Sequence, residues 1–396
     1  MKTEKRLGAK ALVESLEKAG VEVLFGYPGG AVLDIFNQLP DAKFQFVLGR
    51  HEQGSAHMAD GYARSTGKPG VCLVTSGPGA TNTITGLATA NMDGVPMVLI
   101  TGQVPLGQIG TDAFQEADMN GICRAVTKHS FLVKSADEIP ETVAQAFYIA
   151  THGKPGPVVI DIPKNCQQAM TDAQYPERVS LRAYHPESTA STAEINKFAK
   201  LVNEAKKPVI YAGGGVIASG ATKDVANLAH KAEIPVATTL MGLGSFDERD
   251  SLSLRMAGMH GTPAANWAID EADLIIALGV RFSDRVTGKL SAYAKKAKII
   301  HVDCDAASLN KNVSVDLGIN ADVKDVLTTV NSRIRAAKHP EWLKKIDGWK
   351  KSHPVSWKPM HKGVIMPQQV IESVDKATNG KAVVVTDVGQ HQMWAT

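Results

Sequence analysis

Apolar residues fall along the chain in two alternating patterns. Short unbroken runs rich in Val, Ile and Leu are bounded by Gly, Pro and Asn, and between them apolar residues recur every third or fourth position. The first pattern predicts strands buried on both faces and the second predicts helices that cover them. Their alternation predicts parallel sheets with crossover helices, an α/β fold. A helix over 4–19 places Leu7, Ala11, Leu12 and Leu16 near one face. A strand at 21–26 enters the turn Tyr27-Pro28-Gly29-Gly30 and a helix over 32–39. A strand at 44–48 leads to a loop with His51 and Glu52, then to a helix through Arg64. A strand at 71–75 runs into Ser76-Gly77-Pro78-Gly79-Ala80-Thr81-Asn82 and another helix. Strands at 97–101 and 157–162 follow, the last closing a first domain, 1–170, near Lys164.

Residues 171–190 are polar, contain Pro176 and Pro186 and show no period, which predicts a linker. A second set of alternations, 191–338, begins near Thr192, with strands at 208–212, 235–239, 273–278 and 298–303. Residues 339–363 are rich in Lys, Trp, His and Pro and read as a second linker. A helix at 367–377 and a strand at 382–386 then open a third unit, 364–396. One helix and one strand cannot bury a core. The expectation is therefore a domain begun but not finished within 396 residues.

Composition narrows the class. With 44% hydrophobic and 21% charged residues the chain suits a globular protein with cores and excludes disorder. No apolar run approaches the ~20 residues of a membrane span, and the amino-terminal segment lacks the apolar core of a signal peptide. A net charge of +3 without a dense basic stripe argues against nucleic acid as a partner. Cys72, Cys123, Cys166 and Cys304 lie far apart, which suits buried thiols in a reducing compartment rather than disulfides or a zinc site.

Several residues carry candidate chemistry. Glu52 follows a strand and enters an apolar helix, so it stands at the carboxyl edge of a sheet, where open α/β sheets bind ligands. Such a carboxylate either shuttles protons or complements the helix dipole. His51 and His57 do not form the HExxH zinc motif. The glycine-rich turn 76–82 offers backbone N–H groups to an anion, or is a tight strand-to-helix turn; it lacks the ending of a phosphate-binding Walker loop. Gly213, Gly214 and Gly215 after a strand suit a dinucleotide pyrophosphate, and Asp303 or Asp322 suits a ribose hydroxyl. Arg281 and Arg285 flank a turn where they would clamp a phosphate or carboxylate, or stand as solvated surface groups. Lys164 follows its strand in the same way, and Met241, Met259 and Met393 read as core filler.

The segments FGYPGGAVLDIFNQL, RHEQGSAHMADGYAR, TSGPGATNTITGLATANMDGVPMVLITGQVP, IGTDAFQEAD, KPGPVVIDIPK, MGLGSF, MAGMHGT, LGVRFSDRVTGKL and TDVGQHQMW occur in this order over residues 5–396. Together they resemble the large catalytic subunits of the acetohydroxyacid synthase (acetolactate synthase) family. The resemblance implies three α/β domains: a thiamine-diphosphate pyrimidine-binding domain, a central FAD-binding domain and a diphosphate-binding domain. It implies the decarboxylative joining of two pyruvates, or of pyruvate and 2-oxobutyrate, for valine, leucine and isoleucine biosynthesis in the cytoplasm. It also implies a homodimer or tetramer with a small regulatory subunit. By resemblance Glu52 would hydrogen-bond the aminopyrimidine ring and favour its imino tautomer. Pro28 would help bind the thiamine diphosphate, Gly29, Gly30 and Ala31 would give close backbone approach, Gln115 with Phe114 would face the intermediate, Lys164 would line the substrate approach and Arg285 would attract the second keto acid. Val388, Gly389, Gln390 and His391 would begin the diphosphate end. FAD would be held by Lys154, Gly213, Gly214, Gly215, Thr239, Leu240, Met259, His260, Gly279, Val280, Arg281, Phe282, Asp303 and Asp322.

Three departures stand out. Lys154 and Ser283 replace the family's usual arginine and aspartate. The GDG…N motif that binds Mg2+ and the diphosphate is absent from these residues, so no metal ligand is assigned and an incomplete, inactive fragment is expected. The rival readings are a non-catalytic FAD-binding or assembly protein and a sister thiamine-diphosphate carboligase or decarboxylase.

Overall fold

The computed structural model describes residues 4–358 and 363–396. It divides into two compact units, 1–187 and 188–396. Among the described residues each unit carries a six-stranded sheet with all neighbouring strands parallel.

In the first unit β1 (Arg6–Leu7) precedes helix α1 (Gly8–Lys18) and β2 (Val23–Tyr27). Then come β3 (Gln45–Leu48), α2 (Glu52–Thr66), β4 (Gly70–Val74), α3 (Ile84–Asp93) and β5 (Met97–Gln103). The unit ends with β6 (His129–Leu132), α4 (Ile139–Thr151), β7 (Pro157–Pro163) and β8 (Met170–Thr171). The strand order is β3-β2-β4-β5-β7-β6. Leu24, Leu73, Ile100 and Ile160 face a core shared with α1 and α4, while Phe25, Cys72, Leu99 and Val159 face a core shared with α2 and α3. Alternate residues of one strand thus enter opposite cores, which is why these runs carry no polar face. The chain passes from β2 outward to β3 and returns to β4 on the other side of β2. That reversal opens a crevice at the carboxyl ends of β2 and β4.

The second unit repeats the plan. It starts with α5 (Thr192–Glu204), β9 (Pro208–Ala212), α6 (Thr222–Ala232), β10 (Val236–Thr238) and β11 (Ser253–Met256). It continues with α7 (Pro263–Glu271), β12 (Leu274–Leu278), β13 (Lys298–Asp303), β14 (Leu317–Asn320) and α8 (Val323–Val330). The order β11-β10-β9-β12-β13-β14 reverses between β9 and β12, so Gly213 and Gly279 meet at that edge. A box of reciprocal hydrogen bonds between Ser191 and Glu194 caps α5.

The α/β expectation holds, with local corrections. The amino-terminal helix starts at Gly8 rather than residue 4, because Arg6 and Leu7 pair antiparallel with Thr171 and Met170. The expected linker 339–363 contains helix α9 (Pro340–Ser352), and its residues 359–362 lie outside the described residues. Trp342 and Ile346 of α9 are buried against Val209, Tyr211 and Ala268, and the Trp342 indole donates to the Pro208 carbonyl at 3.2 Å. Trp342→Ala would lose this packing and leave a cavity. The expected cost is ~3–5 kcal/mol, read by denaturant unfolding. The expected strand at 382–386 is irregular instead. A strand forms only by pairing, no described segment pairs with it, and Val383 and Val385 stand exposed. After α10 (Pro367–Thr378) the segment Gln390–Ala395 forms a short helical turn.

Among the described residues no helix is long and apolar enough to cross a membrane. The four cysteines are unpaired; Cys72, Cys123 and Cys166 are buried, Cys304 half-buried. Burial pushes the thiols of Cys166 and Cys304 up to about 11.

Candidate active site

Three loops converge at the carboxyl ends of β2, β3 and β4. Thr75, the residue after β4, is buried and accepts a hydrogen bond from the Ala31 N–H at 3.2 Å, so the turn after β2 rests on it. The glycine-rich turn rests on the same side chain, because a Cβ added at Gly79 would stand 2.7 Å from Thr75 Cγ2. That Cβ would also lie 3.4 Å from Glu52 Oε1, so the missing side chain leaves room for the carboxylate. Glu52 opens α2, capped by His51, whose Nδ1 accepts from the Gln53 N–H at 3.1 Å. The Asn82 amide donates to Glu52 Oε2 at 3.0 Å. Glu52 is half-buried, and Asn82 holds one oxygen of its carboxylate.

Gln115 reaches the same turn from the loop after β5. A Cβ at Gly77, whose φ is +57°, would stand 2.6 Å from the Gln115 carbonyl oxygen. Gln115 itself has a φ of +58°, and the neighbouring Glu116 carboxylate accepts from the N–H of Gly110 and of Ala113. Those bonds, the one from Gly110 first, hold the Glu116 carboxyl below its ordinary value. Lys164, after β7, points its ammonium at the Gly30 carbonyl, 3.4 Å away. Pro28, Gly29, Gly30, Glu52, Gln115 and Lys164 thus share one edge of one sheet.

Beneath this edge lies a group that the sequence reading missed. Asp161 in β7 is 1% exposed, accepts from Thr101 Oγ1 at 2.7 Å and from the Gln103 amide at 2.9 Å. Burial pushes its carboxyl up to about 7, opposed by the two hydrogen bonds and aided slightly by Asp118. The signal was visible as one carboxylate inside the apolar run PVVIDI. An unfolded aspartate releases its proton near 3.8, whereas the folded chain keeps it to about 7. Between those values the folded state binds more protons, so this group's contribution is fully present below the lower value and is lost as pH rises through the upper one. Thermal unfolding from pH 5 to 8 should show the parent losing stability relative to Asp161→Asn, at no more than ~1.4 kcal/mol per pH unit.

The second unit gathers the remaining candidates at its own reversal. A Cβ at Gly213 would stand 2.1 Å from the Gly279 carbonyl oxygen, and the Gly215 N–H donates to that oxygen at 3.2 Å. Gly214 and Val280 belong to the same two turns. The Thr239 hydroxyl accepts from the Gly242 N–H at 2.9 Å and shapes the turn Leu240–Gly242 beside them. Asp303 ends β13 and accepts from the Asp305 N–H at 2.8 Å; Asp322 caps α8 through Lys324 N–H at 2.8 Å. Burial raises the Asp322 carboxyl. Phe282 is buried at a φ of +47°, and Arg281 beside it is exposed. The Met259 N–H donates to the Arg285 carbonyl at 2.8 Å, joining the loop of Met259 and His260 to the arginine turn. Met259 is exposed rather than core filler. A cavity of about 430 Å³ lies beside Met259 and Arg285, lined also by Asn266, Asp284, Lys289 and Tyr293.

Lys154 stands in the turn before β7 of the first unit, apart in sequence from the other flavin candidates. Gln390 and His391 lie on the short helix at the end of the described residues, Val388 and Gly389 in the bend before it, where Val388 is exposed, and no sheet edge gathers them. Among the described residues no group of three or more His, Cys, Asp or Glu is placed to hold a metal ion.

Residues 6–122 match the family model described as thiamine pyrophosphate enzyme, N-terminal TPP binding domain, and residues 195–330 match thiamine pyrophosphate enzyme, central domain. The chain is 49% identical over 395 residues to the acetolactate synthase large subunit of Mycobacterium tuberculosis, an alignment covering 98% of this chain and 64% of that one. Against the acetolactate synthase large subunit of Haemophilus influenzae it is 48% identical over 401 residues, covering 99% of this chain and 70% of that one. Against the probable acetolactate synthase large subunit of Methanocaldococcus jannaschii it is 46% identical over 399 residues, with 98% and 67% covered. The chain thus spans about 64% of the length of the first of these relatives.

Proposed function

Because the chain belongs to the family of acetolactate synthase large subunits, we propose that its first unit forms the proton-holding half of a thiamine-diphosphate site that joins two 2-keto acids. The reaction class is the decarboxylative condensation of two pyruvates to 2-acetolactate, or of pyruvate with 2-oxobutyrate. The observation that carries this reading is the convergence of Glu52, Asn82, Gly79 and Thr75 at the β2/β4 crevice. A glycine-lined gap beside a half-buried carboxylate fits a flat heteroaromatic ring whose nitrogen meets that carboxylate. When bound, thiamine diphosphate supplies the electron sink that lets a keto acid lose CO2.

The side chains have distinct tasks. Glu52 holds a proton at the ring nitrogen, and Asn82 fixes the carboxylate so that one oxygen always faces the crevice. Lys164, at the mouth of the Gly30 turn, attracts the keto acid's carboxylate. Gln115 faces the reacting atoms from the loop after β5.

In the second unit the Gly213/Gly279 approach leaves a side-chain-free cradle at a sheet reversal, which fits the pyrophosphate of FAD. Asp303 and Asp322 suit its ribose, with Thr239, Leu240, Met259, His260 and Arg281 as further contacts. The donors for Mg2+ are not among the described groups, so no step is assigned to the metal. A homodimer or tetramer, a small regulatory subunit and a cytoplasmic location complete the reading.

Product analysis with 13C-labelled pyruvate, thiamine diphosphate, Mg2+ and FAD, on a chain completed with the family's diphosphate-binding domain, tests it. The expected products are labelled 2-acetolactate and CO2. Acetaldehyde as the main product would move the protein to the sister decarboxylases.

A further inference from the structure

Gln103 ties two parts of the first unit together. Its amide donates to Asp161 Oδ2 at 2.9 Å and also to the Ala117 carbonyl at 2.8 Å, while its own oxygen accepts from the Val104 N–H at 2.9 Å. Every hydrogen-bonding group of this amide is committed, and the side chain is 3% exposed. Thr101 Oγ1 holds the other oxygen of Asp161 at 2.7 Å. Ala117 lies two residues after Gln115, whose backbone presses on the Gly77 turn at a φ of +58°.

We propose that Asp161 is a positioning residue, acting through Gln103 and Ala117 to hold the segment 113–118 so that Gln115 stays against the glycine-rich turn. That Gln115 there faces reacting atoms rests on the function proposed above; that the segment is held does not.

A carboxylate amid Val158, Val159, Ile160 and Ile162 costs several kcal/mol of desolvation, so its burial needs a compensating role. A purely apolar strand would pack as well, but a flanking carboxylate lets Gln103 present both amide hydrogens in fixed directions. At 1% exposure almost no water reaches the Asp161 carboxyl. The other titratable groups facing it are Asp118, from the start of the short helix Met119–Cys123, and Cys123 on that helix. The bond that reaches the loop, from Gln103 to Ala117, spans 14 residues of chain and anchors a segment where Phe114 is 88% exposed.

Amide hydrogen exchange on the protein without substrate or cofactor tests this, so its outcome is independent of keto-acid chemistry. Asp161→Asn leaves a single accepting oxygen for the two donors Thr101 Oγ1 and Gln103 Nε2. Exchange across 106–118 should rise about tenfold or more, the scale of losing a hydrogen bond to a charged group. Exchange in α1 and α4 should stay at the parental rate. Thr101→Val, which leaves the Gln103 bonds intact, should change the segment by less than about threefold on the same scale. Gln103→Leu should loosen the segment as much as Asp161→Asn, and the double variant should add little, because the two act through one chain of bonds. Parental exchange across 106–118 in Gln103→Leu would overturn the proposal, as would additive effects in the double variant. If Asp161→Asn raises exchange in every element at once, Gln103→Leu decides.

Discussion

In a chain completed with the diphosphate-binding domain, Glu52→Gln should lower acetolactate formation by ~10²–10⁴-fold, the usual loss when a positioned proton-transfer group is removed, while thiamine diphosphate binding changes by less than about tenfold. The amide keeps the shape of the side chain and its place at the start of α2. It can still meet the Asn82 amide through its own oxygen. What it cannot do is give or take the proton at the ring nitrogen, so the loss falls on kcat rather than on cofactor affinity. Asn82→Asp gives the companion result: a second carboxylate beside Glu52 replaces a donor by repulsion, and both activity and cofactor affinity should fall. Steady-state rates and cofactor titration calorimetry separate these outcomes. A Glu52→Gln protein that kept most of its turnover would make Glu52 a helix-terminus acid and nothing more.

Gly213→Ala should abolish flavin retention and destabilise the second unit. The added methyl would start 2.1 Å from the Gly279 carbonyl oxygen, which is backbone and cannot swing away. Gly279 has no freedom to yield either, since its φ is +58° and its own added Cβ would stand 2.5 Å from Gly215 Cα. The ends of β9 and β12 would have to separate, at a cost of ~1–3 kcal/mol for overpacking. The cradle proposed for the FAD pyrophosphate would open with them. At Gly214 the nearest neighbour is Met241 Cβ at 3.2 Å, which a small shift relieves, so Gly214→Ala should be milder. Visible absorbance after gel filtration with FAD, together with thermal unfolding, reads both effects. Parental flavin content in Gly213→Ala would remove the nucleotide from this reversal.

Much of the architecture was legible because the central strands are unbroken apolar runs that only a doubly covered sheet explains. The strands that escaped were the edges. His129–Leu132, Ser253–Met256 and Leu317–Asn320 are short and mixed with His, Arg or Gly, because at the margin of a sheet the two faces of a strand are only partly covered. Helix α9 was hidden by its lysines, although Trp342, Ile346 and Trp349 already stood at helical spacing. Glu52 was legible from its place between a strand and a helix. Its partner Asn82 was not, because their bond joins loops 30 residues apart that only the β2/β4 reversal brings together. Thr75 escaped for the same reason, and Asp161 because a single polar letter in a strand does not reveal which neighbours satisfy it.

Deuterium exchange at C2 of thiamine diphosphate, followed by proton NMR after acid quench, puts the role of Glu52 to the test without any substrate. The crevice as described requires the parent protein, completed with the diphosphate-binding domain and supplied with Mg2+, to accelerate this exchange well above that of free cofactor. It requires Glu52→Gln, with cofactor equally bound, to fall back by ~10²-fold or more. Equal exchange rates in the two proteins would contradict a proton-holding Glu52 and send the search for that group elsewhere.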